Sequence, residues 1–291
     1  MRIIVEPCFN EAHFMQAHIA NMCEFLEPDV FVIAEGMFPN GPEAHKAPEA
    51  DFKDRWTTDG VRSKDIEELR DIVSDANQAY DTEIHIVEMD YDPVDINRQT
   101  YIKSYNAFKE VVSPSPEDLI FPIECDMFLT KTQADVLLGF CNDMKPDSGI
   151  YSSYTRFFEA PYVEFNDDRP RKIAFRYGSG KLYDTIMNEF CDERYFDKLL
   201  GLDLGVFHYE WIRPGWYYDM RVEQLPRTDN TWEVLSDLRY EIEQGPDNLQ
   251  HRIDIATMTF HVKFTVSNLG PEDHPPQILS HPNFVKYYGA T

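Results

Sequence analysis

The chain has 291 residues, with 27 Lys+Arg against 52 Asp+Glu, and a formal net charge of −25. Its hydrophobic fraction of 43% and aromatic fraction of 14% suffice for a folded core, so disorder is excluded. A surface this acidic repels phosphate backbones and disfavours duplex nucleic acid as a partner.

No stretch approaches the roughly 18–20 consecutive apolar residues of a membrane span, and the opening MRIIVEP has no basic-then-apolar leader. The five cysteines (8, 23, 125, 141, 191) are odd in number and lack CxxC spacing, so they read as reduced thiols. The expectation is a cytoplasmic protein without a membrane span. A phosphate-bearing small substrate stays compatible with the charge, provided a metal ion or a local basic cluster offsets it.

In chain order, 2–6 form a short apolar strand. A helix is expected over 11–26, where Phe14, His18, Met22 and Phe25 recur at helical spacing, with Asn10 as N-cap and Glu11 in the first turn. Residues 30–35 read as a buried strand, followed by a long loop over 36–59. Then come a helix over 61–79, a strand over 84–89, a helix over 97–112 carrying Tyr101, Tyr105, Phe108 and Val112 on one stripe, and a strand over 119–124. This alternation predicts an α/β fold with a mostly parallel sheet flanked by helices, and ligands outside the carboxyl ends of its strands.

Beyond 130 the pattern predicts a mixed α+β part. Helices are expected at 133–142, 182–200 and 231–244, strands at 149–158, 172–177, 204–209 and 255–266, and a Pro- and His-containing tail after that.

The acid-x-acid spacing recurs eight times in this acidic chain and means little by itself. Glu124-Cys125-Asp126 stands apart because it closes an apolar strand at a predicted crevice and leads into Met127, Phe128 and Leu129. Carboxylates there suit Mg²⁺ or Mn²⁺, which leave positions open for substrate phosphates. The alternative is a helix cap or a solvated strand end. There is no GxGxxG after the first strand, no GxxxxGK[ST], no HExxH and no GxSxG, so dinucleotide oxidoreductases, P-loop enzymes, zincins and serine hydrolases lose support.

The order of these features resembles a family. A strand followed by Asn10-Glu11, a second strand ending in Glu35, a helix carrying Arg98 and Asn106, and a strand ending Glu124-x-Asp126 are similar to the nucleotide-binding half of GT-A glycosyltransferases, especially the large inverting family with a DxD motif. Val32-Ile33-Ala34-Glu35-Gly36, with Phe38, Gly41 and Lys46, also resembles the enzymes that add bisecting N-acetylglucosamine. The resemblance covers about 1–130 well and 131–215 loosely. It does not reach 216–291. The expected organisation is a nucleotide-sugar-binding half over 1–130, an acceptor-binding half over 131–230 and a C-terminal extension over 231–291.

The resemblance further implies a UDP- or GDP-sugar donor, a glycan or other hydroxyl acceptor, and a divalent metal. Asp126 would bind the metal bridging the diphosphate and so count among the catalytic residues. Glu124, one methylene longer than the family's Asp, would sit near the ribose or a metal-bound water. Pro7, Asn10 and Glu11 would line the base pocket, Glu35 would face the nucleoside, and Arg98 would lie near the diphosphate. Similar enzymes often take a late histidine as a further ligand, here His208, which among Phe207, Tyr209 and Trp211 is also readable as a hydrogen-bonded core residue.

Inversion needs a carboxylate general base. Candidates are Glu189, Asp192, Glu193, Asp203, Glu210 and Asp219, with Asp192 and Glu193 taken forward. The aromatic segment Trp211, Trp216, Tyr217 and Tyr218 reads as either a sugar platform or core. The basic clusters Arg169, Arg171, Lys172, Arg176 and Lys46, Lys53, Arg55 either neutralise a diphosphate or balance adjacent acids. The rival readings are a sugar nucleotidyltransferase and a non-catalytic carbohydrate-binding or assembly protein of the same fold.

Overall fold

The computed structural model describes residues 1–8, 11–36, 65–89, 103–178, 198–212, 247–260 and 263–289, with backbone alone at 166–170, 198–199, 210–211 and 259–260. Strand β1 (Arg2–Cys8) is the spine. Its alternating side chains feed two different cores, as a strand covered on both faces requires. Ile4 and Cys8 enter one core with Phe31, Ile33 and Phe121, and Ile3 and Val5 enter the other with Val30, Val32, Ala34 and Ile120.

Around β1, strand β2 (Val30–Glu35), strand β3 (Glu83–Glu88) and strand β4 (Leu119–Pro122) pair in parallel, in the order β3-β2-β1-β4. The chain steps outward from β1 to β2 and β3, then returns to β4 on the opposite side of β1. Such a reversal is the switch point at which open α/β sheets bind ligands, here at the carboxyl ends of β1 and β4.

The first core is covered by helices α1 (Ala12–Phe25), α2 (Ile66–Ala79) and α3 (Lys131–Asn142), which contribute Met15, Ile19 and Met22, then Leu69 and Val73, then Ala134 and Leu137. Each fully buried side chain of this kind stabilises by about 1.5–3 kcal/mol. The second core lies under a 3₁₀ turn at Ala107–Glu110, where Phe108 is buried and Tyr105 and Val112 pack against it. The architecture is therefore α/β, a parallel-to-mixed sheet flanked by helices. Among the described residues no helix is long and apolar enough to cross a membrane.

The sheet continues with a mixed set of strands. Strand β6 (Ser148–Phe158) and strand β7 (Val163–Arg176) form a long ribbon, β7 joins β4, and strand β8 (Lys198–Trp211) runs parallel to β6 and carries the short strand β5 (Met127–Phe128) on its far edge. The expected strands at 172–177 and 204–209 are parts of these 14-residue strands. Their polar outer positions broke the apolar pattern, whereas the cross-strand ladder ignores side-chain polarity. Residues 198–200, expected to end a helix, begin β8.

The expected strand at 255–266 is largely wrong. Leu249–Phe260 is helix α4, and among the described residues of the stretch only Thr265–Val266 is extended, as strand β9 against β7. Ile and Thr in RIDIATMTF suggested a strand, but Arg252, Ile253 and Ala256 are buried at helical spacing. Tertiary contact overrides the propensity. Arg252 is fully buried, donating through Nε to Glu159 Oε2 at 2.7 Å and through Nη2 to Oε1, while Tyr287 donates to the same carboxylate at 2.6 Å.

The tail forms 3₁₀ turns at Pro271–Asp273 and Pro276–Ser280 and a helix, α5 (Pro282–Tyr288). Ile278 and Phe284 pack with Phe14, Phe128, Phe157 and Tyr209. His274 bridges two tyrosines: Tyr209 donates to its Nδ1 at 2.9 Å and its Nε2 donates to Tyr288 at 3.2 Å. Burial pushes its ring down to about 4. His281 caps α5 by accepting from Asn283 N at 3.3 Å. The tail histidines His274 and His281 are thus built into packing, and His261 lies outside the described residues.

Candidate metal centre

Strand β4 ends at Pro122, two residues short of the expected boundary at 124. Ile123 N still donates to Val5 O, and a turn then closes where Met127 N donates to Glu124 O at 2.9 Å. Glu124-Cys125-Asp126 therefore occupies the turn between β4 and β5, at the crevice beside the end of β1, rather than the strand itself.

The segment after the turn, expected as an apolar turn, is strand β5. It pairs antiparallel with β8 in the register Met127–His208 and Phe128–Phe207, and Tyr209 N donates to Asp126 O at 2.8 Å. That register brings His208 to the acid pair. His208 Nε2 lies 3.2 Å from Asp126 Oδ1 and 3.5 Å from Glu124 Oε2. One ligand atom from each of Glu124, Asp126 and His208 falls within 4.8 Å of the others.

The register depends on a bulge in β8. Ser152 pairs with Leu202 but Tyr154 pairs with Val206, so β8 carries two extra residues there. Gly205 adopts φ +59°, the left-handed conformation that suits glycine. Gln133 Nε2 holds the bulge through the carbonyls of Leu204 and Gly205, each at 2.9 Å, while its Oε1 accepts from Thr130 N at 2.7 Å as half of the capping box of α3. One glutamine thus ties the segment after β5 to the bulge before His208.

From beneath, α1 clamps β5. His18 Nδ1 donates to Met127 O at 2.9 Å, and Asn21 both donates to Leu129 O at 2.9 Å and accepts from Leu129 N at 3.0 Å. His18 Nε2 lies 2.7 Å from Glu6 Oε2, and both side chains are fully buried. Since Nδ1 must carry a proton for the carbonyl, a further proton lies in the Nε2–Oε2 contact. Burial raises the Glu6 carboxyl, His18 opposes that rise, and the Asp126 charge adds to it.

The electrostatics of the centre follow from burial and a few charges. Burial pushes the Asp126 carboxyl up, but His208 and then the more distant Arg171 outweigh it and hold the group below its ordinary value of 3.8. Glu124 is less enclosed, with its side chain 31% exposed. Its Oε1 accepts from Arg171 Nη1 at 2.7 Å and from Tyr105 at 3.5 Å. The Arg171 guanidinium lies over the Tyr154 ring at 5.8 Å, and that ring is 5.7 Å from the His208 ring. His208 is 1% exposed, and neither ring nitrogen has a hydrogen-bond partner.

A buried imidazole without a hydrogen bond is costly unless something else takes its lone pair. Two carboxylates with an imidazole are a donor set suited to Mn²⁺ or a similar divalent ion. The residues present fit such an ion.

The remaining expected site residues fall into three groups. Pro7 and Glu35 line the ends of β1 and β2, with Glu35 fully buried and in register with Cys8. Glu11 is the N-cap of α1 but makes no side-chain cap bond, and the helix starts at Ala12, so the expected cap at Asn10 is displaced by one residue. The cap comes from elsewhere in the chain: Asp65 Oδ2 accepts from Ala12 N at 2.9 Å. Asn10, Arg98, Asp192 and Glu193 lie outside the described residues, as do the basic residues Lys46, Lys53 and Arg55 and the aromatics Trp216, Tyr217 and Tyr218.

The basic cluster at 169–176 splits. Arg171 reaches Glu124, whereas Arg176 turns to the opposite end of the sheet and donates to Cys141 O at 2.9 Å and Glu117 O at 2.6 Å. Sequence reasoning missed the Glu6–His18 pair. Its trace was His18 on an otherwise apolar helical stripe, a position where a histidine needs a buried partner.

Cys8, Cys23, Cys125 and Cys141 are all buried. Burial raises the Cys125 thiol well above its ordinary value, with the neighbouring Asp126 charge adding to the effect. No family model matches the chain, and no curated protein matches it.

Proposed function

We propose that Glu124, Asp126 and His208 hold a divalent cation, and that the protein is a glycosyltransferase of the GT-A type moving a sugar from a nucleotide-diphosphate donor to an acceptor hydroxyl. The observation that carries this reading is the convergence of the three side chains, from two distant stretches of chain, at the crevice where the strand order reverses. A bound ion would supply positive charge against the developing charge of a departing diphosphate.

The chain's own residues do the rest. Asp126 and His208, both buried, offer rigid ligand atoms, and Glu124 completes the set from the more open side. The wall formed by Tyr105, Tyr154 and Arg171 orients Glu124. The ends of β1 and β2, with Pro7, Glu11 and Glu35, border the space where a nucleoside would lie. The carboxylate base of an inverting transfer is assigned to Asp192 or Glu193.

The test is a thermal-shift panel of UDP- and GDP-sugars with Mn²⁺ or with chelator. A ligand that binds only the folded state raises the melting temperature, by about 2.7 kcal/mol of added stability at a hundred times its Kd. A metal-dependent rise with one sugar nucleotide is expected. No rise with any donor in the presence of Mn²⁺ would remove the transferase reading.

A further inference from the structure

Glu124 faces two ways. Its Oε2 looks toward His208, and its Oε1 is held by the Arg171 guanidinium at 2.7 Å. Arg171 is held in turn against the Tyr154 ring, itself packed beside His208, so the positive charge is part of the wall of the centre. The Arg171 side chain is 17% exposed and reaches the side from which Glu124 meets solvent.

Charge counting then gives an unexpected result. Two carboxylates alone would neutralise a divalent ion. With the guanidinium 2.7 Å from Glu124, the same ion would share that carboxylate with a second positive group. A cation arriving alone is repelled by Arg171, whereas an anion arriving with it meets both positive groups.

We infer that Arg171 makes cation and anion binding at this centre interdependent: it weakens capture of a lone divalent ion and strengthens capture of the ion together with a phosphate-bearing ligand. This rests on the metal reading of Glu124, Asp126 and His208, and it adds a residue that this reading does not require. The coupling is reciprocal, since each ligand changes the other's affinity by the same factor. For a substrate whose leaving group is a phosphate or diphosphate, the device keeps the centre from filling with metal before the substrate arrives. Arg171 would then be a specificity residue for anionic ligands.

The experiment is calorimetric titration of Mn²⁺ into the full chain, with and without inorganic phosphate, for the native protein, R171M, R171Q and R171K. In the native protein phosphate should tighten Mn²⁺ about tenfold, within the usual range of such couplings. R171M and R171Q should bind Mn²⁺ alone about tenfold more tightly and lose most of the phosphate effect, and R171K should stay close to native. Weaker binding of Mn²⁺ alone in R171M or R171Q would mean that Arg171 only props up Glu124, and would overturn the inference. So would a phosphate effect that survives its removal. If the native protein takes up no Mn²⁺ at all, the metal reading itself fails, a result distinct from an unchanged coupling.

Discussion

Two acid–histidine pairs lie on either side of β5, Glu6 with His18 and Asp126 with His208, and they differ in how their imidazoles are satisfied. His18 donates Nδ1 to the Met127 carbonyl while its Nε2 lies 2.7 Å from Glu6, and nothing of the pair reaches solvent. His208 is as deeply buried, but its Nδ1 has no hydrogen-bond partner and its Nε2 faces two carboxylates, one of which, Glu124, opens to the surface. The same chemistry thus serves as an internal tie in one place and as a ligand set in the other. The distinction lies in unfilled bonding capacity and access, not in residue type.

Substitutions at the two pairs should therefore give opposite signatures. The largest effect is expected from Asp126→Ala, which should cost about 100-fold or more in metal-dependent turnover, since even supporting residues of a metal site cost 10–100-fold. Its circular dichroism spectrum should remain that of the native fold. Glu6→Leu or His18→Leu alone should destabilise by about 3–5 kcal/mol in denaturant unfolding, because each leaves a buried polar partner behind. The double substitution should recover part of the loss, since an apolar pair leaves only the Met127 carbonyl without its His18 donor. An additive loss in the double variant would contradict the idea of a closed tie.

His208→Ala should lower Mn²⁺ affinity about 10- to 100-fold with far less loss of stability than the Glu6 or His18 variants, as measured by titration and melting together. Acid stability should separate the same regions by pH. His274, in the tail packing, and His13, near the centre, are both pushed down by burial to about 4. Below the ordinary value of 6.5 the unfolded chain takes up protons there that the folded chain refuses, so stability falls as pH drops from 6.5 toward 4.

Asp126 acts lower on the scale. Its carboxyl is held below 3.8, so its contribution is present above that value and is lost as pH falls through the folded value. His274→Phe should flatten the upper window and Asp126→Asn the lower one in melting curves recorded against pH. The smallest effect is expected from Thr130→Ala, about 1 kcal/mol, through loss of the α3 cap.

The parallel half was legible because period and length agree there. β1, β2 and β4 are short apolar runs, and α1 and α2 carry helical stripes, so the alternation gave both the elements and the strand ends to inspect. The second half was less legible because its strands are long and polar on one face, and because α4 carries β-branched residues in a segment that Glu159 holds through Arg252. Of the centre, Glu124 and Asp126 stood out by following an apolar strand, and His208 by analogy with similar enzymes. What brings them together is a β5–β8 register set by a bulge at Gly205, and no local pattern in the sequence encodes a register between segments so far apart. Arg171 was visible only as one member of a basic cluster, because neither strand pairing nor side-chain direction can be read from charge spacing.

The most direct test of the central claim is a titration of Mn²⁺ followed by electron paramagnetic resonance of the free ion, run in parallel on the native chain, Asp126→Asn and His208→Ala. Loss of the free-ion signal at one equivalent in the native protein, with binding weakened in both variants, is the predicted result. A native protein that leaves the signal untouched, or variants that bind as tightly as it does, would show that Glu124, Asp126 and His208 are not a metal centre.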